Sequence, residues 1–191
     1  MNQEILFSTG ECDLGVVLVA KGDRGVCAIL LGDDADRLTR ELRQRLSQAS
    51  LRSASSELEP LIAKVTRFLA APAMGLDVPL EMRGTPFQQR VWRALQEIPA
   101  GATESYADVA RRLGSPASAK EVGEACAANA LAVAIPCHRV VRSDGGLAGY
   151  RWGLKRKLAL LRREGARTAE TADLFDGERG SGSAGDKSER A

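Results

Sequence analysis

The chain has a single histidine in 191 residues, and only four cysteines, Cys12, Cys27, Cys126 and Cys137. A zinc site that used histidine would have to use His138, which stands directly beside Cys137, and the cysteine spacings form neither a C-x-x-C nor a zinc-ribbon pattern. Four free thiols and no bound metal are therefore expected. Long apolar runs are missing too: none reaches the roughly 18 residues of a membrane-spanning helix. The opening "MNQEILFSTGE" lacks the basic start and apolar stretch of a secretory signal, so a cytoplasmic protein is expected. What is present, 44% hydrophobic and 27% charged residues, is enough to build an ordinary globular core.

Charge is unevenly spread behind a net value of +2. Residues 1–60 hold 7 Lys or Arg against 10 Asp or Glu, whereas residues 139–163 hold 8 against Asp144 alone. A basic run of this kind is either a solvated face or a surface for a polyanionic substrate. Here it lies next to the Cys137–His138 pair.

The first half reads as a small sheet with helices. "GVVLVAKG" and "GVCAILL", separated by Gly-Asp-Arg-Gly, predict a β-hairpin, and "EILFST" predicts a strand before it. Leu38, Leu42 and Leu46 recur four apart, and Leu61, Val65, Phe68 and Leu69 mark a second amphipathic helix. "APAMGLDVPLEMRG" reads as a connector, after which the pattern turns helical. Thr85, Pro86 and Gln88 predict a capped helix start, followed by an apolar face of Phe87, Val91, Trp92 and Leu95. A second helix is predicted over Ser105–Leu113 and a third from 116–118 to about Asn129, joined by "GSP" as a helix-turn-helix. The divisions predicted are 1–78, 79–165 and a disordered, Gly/Ser-rich tail over 166–191, with its "DLF" as a spacer.

The segment "AIPCHRVVR" ends an apolar run in a reactive combination. A free cysteine is usually a buried, inert residue. Here His138, Arg139 and Arg142 offer positive charge that would lower the Cys137 pKa and make it a nucleophile. In an extended segment neighbours point to opposite sides, so His138 needs a backbone turn or a bridging water to serve Cys137. Asp144 and Glu164 are the downstream acids nearest in sequence that could orient the imidazole.

"GTPFQQRVWRALQEIPAGATESYADVARRLG", "ACAANALAVAIPCHRVV" and "LAGYRWGLKRKLALLRREG" together resemble the alkylguanine-DNA alkyltransferases, the methylated-DNA–protein-cysteine methyltransferases. The resemblance covers roughly residues 4–165. It implies an α/β subdomain like ribonuclease H, followed by a mostly helical domain with a winged-helix-like helix-turn-helix. It also implies a monomer that binds double-stranded DNA through the minor groove, flips out an alkylated guanine and moves its O6-alkyl group irreversibly to Cys137. No cofactor is implied. By the same resemblance His138 takes the Cys137 proton through water, Glu164 holds the imidazole, Tyr106 donates to the departing guanine and Asn129 braces the turn. Val140, Tyr150, Arg151 and Trp152 would contact the base, and Ser118, Ala119, Lys120 and Arg139 the DNA.

The DNA-facing helix departs from the family pattern. Lys120 stands where an intercalating Arg is usual, and Glu121 and Glu124 stand where small residues are usual. Lysine lacks a guanidinium plane, and carboxylates repel phosphates. A structural account is equally available, with Ser118 and Glu121 as a capping box and Glu124 paired to Lys120. A lesion-binding protein without chemistry and a Cys-His hydrolase are the alternative functions; the first has no use for Cys137, and the second normally draws its histidine from a distant segment.

Overall fold

The computed structural model describes residues 3–114 and 117–171. Three antiparallel strands, β1 (Glu4–Cys12), β2 (Gly15–Gly22) and β3 (Gly25–Gly32), form the predicted hairpin and its preceding strand. A fourth, β4 (Ser50–Ser53), pairs parallel to β1 and completes the order β3-β2-β1-β4. "SLRS" has no apolar alternation to reveal it, being an edge strand that is mostly exposed. Gly25 opens β3 at φ 133°, where a side chain would collide with the Pro79 carbonyl; only glycine lets the connector lie this close.

Two helices cover the sheet. In α1 (Ala35–Arg45) the Asp34 carboxylate caps the first turn, and Leu38 and Leu42 point inward. In α2 (Ser55–Ala70) the buried stripe is Leu58, Val65, Phe68 and Leu69. They enclose Val17, Leu18, Val19, Ile29 and Leu30, all 0% exposed.

The helical half contains α3 (Pro86–Gln96), α4 (Tyr106–Leu113), α5 (Ala119–Ala128) and α6 (Leu154–Arg163). Capping boxes Thr85/Gln88, Ser105/Asp108 and Ser118/Glu121 start the first three, so local sequence decides where each helix begins. In the predicted helix-turn-helix, Ser115 and Pro116 lie outside the described residues. Two short parallel strands, β5 (Glu104–Ser105) and β6 (Val140–Val141), tie the start of α4 to the segment after His138.

The free edge of β3 joins the two halves. Ile29 donates to the Ala130 carbonyl at 2.8 Å and accepts from Ala132 at 2.9 Å, so the stretch between α5 and Cys137 is held as an extra, short β-bridge. The packed chain also runs past the boundary expected at residue 165. Ala166 and Thr171 are 0% exposed; Thr171 and Thr168 bond each other, and the Thr171 hydroxyl donates to the Ala166 carbonyl. The tail assignment therefore does not hold for 166–171, and 172–191, including "DLF", lie outside the described residues. The whole is mixed α/β, and among the described residues no helix is long and apolar enough to cross a membrane.

Candidate active site

Asn129 follows α5 and is completely buried. Its Oδ1 accepts from Leu131 N at 2.8 Å, while Nδ2 donates to the Ile135 carbonyl at 3.1 Å and to Cys137 Sγ at 3.3 Å. One amide thus stitches both ends of the 129–137 loop and touches the sulfur. Between them Val133 sits at φ 66°, a left-handed conformation costing a β-branched residue about 1–3 kcal/mol. A 3₁₀ turn over Cys137–Arg139 follows, so the backbone does turn at the Cys-His pair rather than running on extended.

His138 is fully buried, and its Nε2 lies 3.0 Å from Glu164 Oε1. The acid beside the imidazole is therefore Glu164; Asp144 is exposed and pairs with Arg142. Burial holds His138 below its ordinary value against the opposing pull of Glu164, so the ring is neutral. Burial alone would raise the Glu164 carboxyl, but bonds from His138 and Arg139 outweigh it and hold it at about 2. Nε2–H then donates to Glu164, leaving Nδ1 a free lone pair; it is buried without a partner among the described residues. Arg139, expected on DNA, faces inward: two of its nitrogens bond Glu164 at 2.8 and 3.0 Å, and a third bonds the Ile98 carbonyl.

The effect expected on Cys137 is reversed in the resting protein. Burial pushes its thiol up to about 11, although Asn129 and the charge of Lys157 favour the thiolate. Arg139 and Arg142 are spent on carboxylates. The cation that does matter, Lys157, is fully buried on α6, with Nζ donating to Val140 O at 2.5 Å and Ala148 O at 3.3 Å. Counted by sequence only as one of a basic run, it betrays itself by standing three residues before Leu160 and four before Leu161, on the apolar face. Lys157→Met should slow iodoacetamide alkylation of Cys137 at pH 8 about tenfold, equivalent to roughly one pK unit. An unchanged rate in a folded variant would show that Lys157 only ties the two carbonyls.

Tyr150 and Trp152 wall the site. The Tyr150 ring stands edge-on to His138 at 6.5 Å and to Trp152 at 5.2 Å. Tyr150 Oη and Trp152 Nε1 join His138 Nδ1 as buried polar atoms with no hydrogen-bond partner among the described residues. Such atoms are costly unless something in the working cycle satisfies them. Tyr106, half-buried, is pushed up to about 12 by burial and by the nearby Cys126 and Cys137, so it keeps its proton. Val140 is buried in β6. Arg151, expected to contact the base, bonds Glu41 at 2.6 Å and the Ala127 carbonyl at 2.9 Å, while Arg45 reaches Glu41 and the Ala128 carbonyl. Helix α1 therefore holds the C-terminal end of α5, a contact between distant segments that no local pattern signals.

Residues 86–166 match the 6-O-methylguanine DNA methyltransferase, DNA-binding domain family. A methylated-DNA–protein-cysteine methyltransferase of Mycobacterium bovis is 44% identical over 115 residues, which are 60% of this chain and 70% of that protein. The chain belongs to the methylated-DNA–protein-cysteine methyltransferase family. The bifunctional transcriptional activator/DNA repair enzyme Ada of Escherichia coli K12 is 48% identical over 163 residues, 85% of this chain. The chain spans only 46% of Ada, about half its length. The crystal structure of Mycobacterium tuberculosis OGT in complex with DNA superposes with a TM-score of 0.68 at 31% identity, covering 90% of this chain and 99% of that one.

In this methyltransferase-family chain part of the basic run is an internal interface. Arg151 pairs with Glu41, Arg156 with Asp33 and Arg163 with Asp13, so acids of the first 60 residues neutralise three of its eight cations. The acidic start and basic end seen in the sequence are two sides of one contact. Besides Arg142, Lys155 and Arg162 of the run, exposed cationic charge is found at the head of α5. Ser118 and Ala119 are exposed there, and Lys120 is 86% exposed and 3.9 Å from Glu124. Glu121 accepts from Ser118 N and Oγ, so the capping box and the Lys120–Glu124 pair both exist. Tyr106, Ala107, Ala119, Lys120, Arg142 and Asp144 line a groove here.

Proposed function

We propose that this chain repairs DNA by transferring the alkyl group of O6-alkylguanine irreversibly to Cys137, one group per molecule. The observation that carries this reading is the buried Asn129–Cys137 contact beside a His138–Glu164 pair whose free Nδ1, with Tyr150 Oη and Trp152 Nε1, has no partner among the described residues. A thiol at about 11 is not a resting nucleophile, so its proton must leave as it reacts. His138 Nδ1 accepts it through a water, with Glu164 stabilising the imidazolium. The sulfur attacks in line, the S–C bond forms and the O6–C bond breaks. Tyr106, which keeps its own proton, donates a hydrogen bond to a ring nitrogen and so stabilises the charge on the departing guanine, which finally takes up the proton released by Cys137. The thioether is stable, nothing at the site removes it, and no cofactor enters the step.

Reaching O6 requires the nucleotide to swing out of the duplex. The base would stack among Val140, Tyr150 and Trp152, whose unpaired polar atoms supply donors and an acceptor, while Arg151 shapes the wall without touching it. α5 would enter the minor groove with Lys120 at the gap. The reading includes a ribonuclease-H-like part over 1–78, a winged helix-turn-helix part from 79 onward, and a cytoplasmic monomer.

The test is intact mass after mixing the protein with a duplex containing one O6-methylguanine. One added methyl per protein, with no second turnover, supports the proposal; repeated turnover or no transfer to duplex or single strand overturns it. The triple change K120R/E121A/E124A should also tighten duplex binding about tenfold or more and steepen its salt dependence, because two phosphate-repelling charges are removed. Equal affinity by fluorescence anisotropy would mean that the capping and pairing contacts alone account for these residues.

A further inference from the structure

The stretch from Arg142 to Trp152 carries two of the aromatic walls, yet from 142 to 150 it has neither helix nor strand. Its turn closes on itself through Arg142 N to Gly146 O and Gly145 N to Arg142 O, both 2.9 Å. Beyond that its 145–148 part is fastened at three points. Lys157 holds the Ala148 carbonyl. The other two come from the segment after α6: Ala169 N donates to Gly145 O at 3.4 Å, and the Glu170 carboxylate accepts from Leu147 N at 2.8 Å.

That segment is itself firmly seated. Ala166 and Thr171 are 0% exposed, and the Thr168–Thr171 bonds fix the turn that aims Glu170. Glu170 is exposed and Leu147 N is its strongest stabilising contact, which draws the carboxyl below its ordinary range. Residues 166–171 thus lie across the loop as a strap. Leu147 is three residues before Tyr150, and Ala148, next to it, is the residue Lys157 grips. Loss of the Glu170 bond leaves the 145–148 part of the wall loop held by Lys157 and the weak Gly145 contact, while Arg151, bonded to Glu41 and the Ala127 carbonyl, and the Trp152 carbonyl, bonded by Arg156, anchor its far end.

We propose that residues 166–171 are a strap that holds the wall of the alkyl-acceptor pocket closed, with Glu170 as its latch, and that the strap limits the size of O6 substituent the pocket admits. This rests on the alkyl-transfer reading above. Glu170 is a positioning residue: it touches neither the sulfur nor the base and acts through the Leu147 backbone on Tyr150 and Trp152.

The test compares wild type, Glu170→Ala and Glu170→Gln. Each is measured for hydrogen exchange at the Leu147 amide and for second-order transfer rates from duplexes carrying O6-methylguanine or O6-benzylguanine. In Glu170→Ala the Leu147 amide should exchange at least tenfold faster and the benzyl-to-methyl rate ratio should rise about fivefold. The Gln variant, whose side-chain oxygen still accepts the bond, should restore both. Unchanged protection in the Ala variant would overturn the latch, and lost protection with an unchanged rate ratio would overturn its role in size selection. If wild type transfers neither group, the alkyl-transfer reading fails by itself, while the exchange data still decide whether the latch exists.

Discussion

Replacing Cys137 by serine is expected to abolish methyl transfer, by at least about a thousandfold, while leaving the fold intact. A hydroxyl is a far poorer nucleophile than sulfur when its proton is taken by a neutral imidazole. It can still accept the Asn129 Nδ2 hydrogen bond, so the 129–137 loop keeps its brace. Peptide mass spectrometry of the wild-type protein after reaction should place the methyl on the Cys137 peptide alone. The contrast is informative because Cys126 is a second buried thiol close enough for its charge to be felt at Tyr106 along with that of Cys137. A methyl on Cys126, or transfer that survives Cys137→Ser, would sink the assignment.

Glu164→Gln should give the second-largest loss, in both rate and stability. Glu164 is a carboxylate with 0% side-chain exposure shared by His138 and Arg139. Removing its charge leaves a buried guanidinium uncompensated, at a cost of about 3–5 kcal/mol. Transfer should slow by about two to three orders of magnitude, since the imidazole loses both its orientation and the counter-charge for its protonated form. Rates must be read below the variant's lowered melting temperature, so that unfolding is not mistaken for lost chemistry.

The same network sets an acid limit. Glu164 is held at about 2, below the 4.5 it takes when free, so the unfolded chain binds its proton first. Its contribution, about 3 kcal/mol by linkage, is complete above pH 4.5 and fades as pH falls toward 2. His138 is also depressed, from 6.5, and the unfolded chain again takes up the proton first, so stability already begins to fall below pH 6.5. Wild-type unfolding by urea should show both losses, and Glu164→Gln should lack the lower one. A wild-type curve flat between pH 6.5 and 3 would contradict the buried neutral-His, ionised-Glu arrangement.

Much of this was legible in the chain. The strands of the first sheet, the stripes of α1 and α2, and the capped starts of α3, α4 and α5 are local patterns, in which period and cap chemistry act over a few residues. "PCHRV", with the segments around it, also named the family. β4 escaped because a short, polar edge strand draws its bonds from β1 and has no apolar period of its own. The contacts hidden from the sequence were those of charged residues, whose partners depend on what folding brings opposite them.

By itself the sequence determined that Cys137 and His138 stand together, that helices begin at Thr85, Ser105 and Ser118, and that acid and base are segregated along the chain. The tertiary structure alone decided that the two charge blocks meet each other, that Arg139 and Arg151 serve carboxylates, and that Lys157 is buried near a thiol. It also decided that Glu170 reaches Leu147. The physical reason is range: caps and periods are settled between neighbours along the chain. A charge's partner, and the burial that moves its pKa, are settled only when segments more than a hundred residues apart, such as Asp13 and Arg163, come into contact.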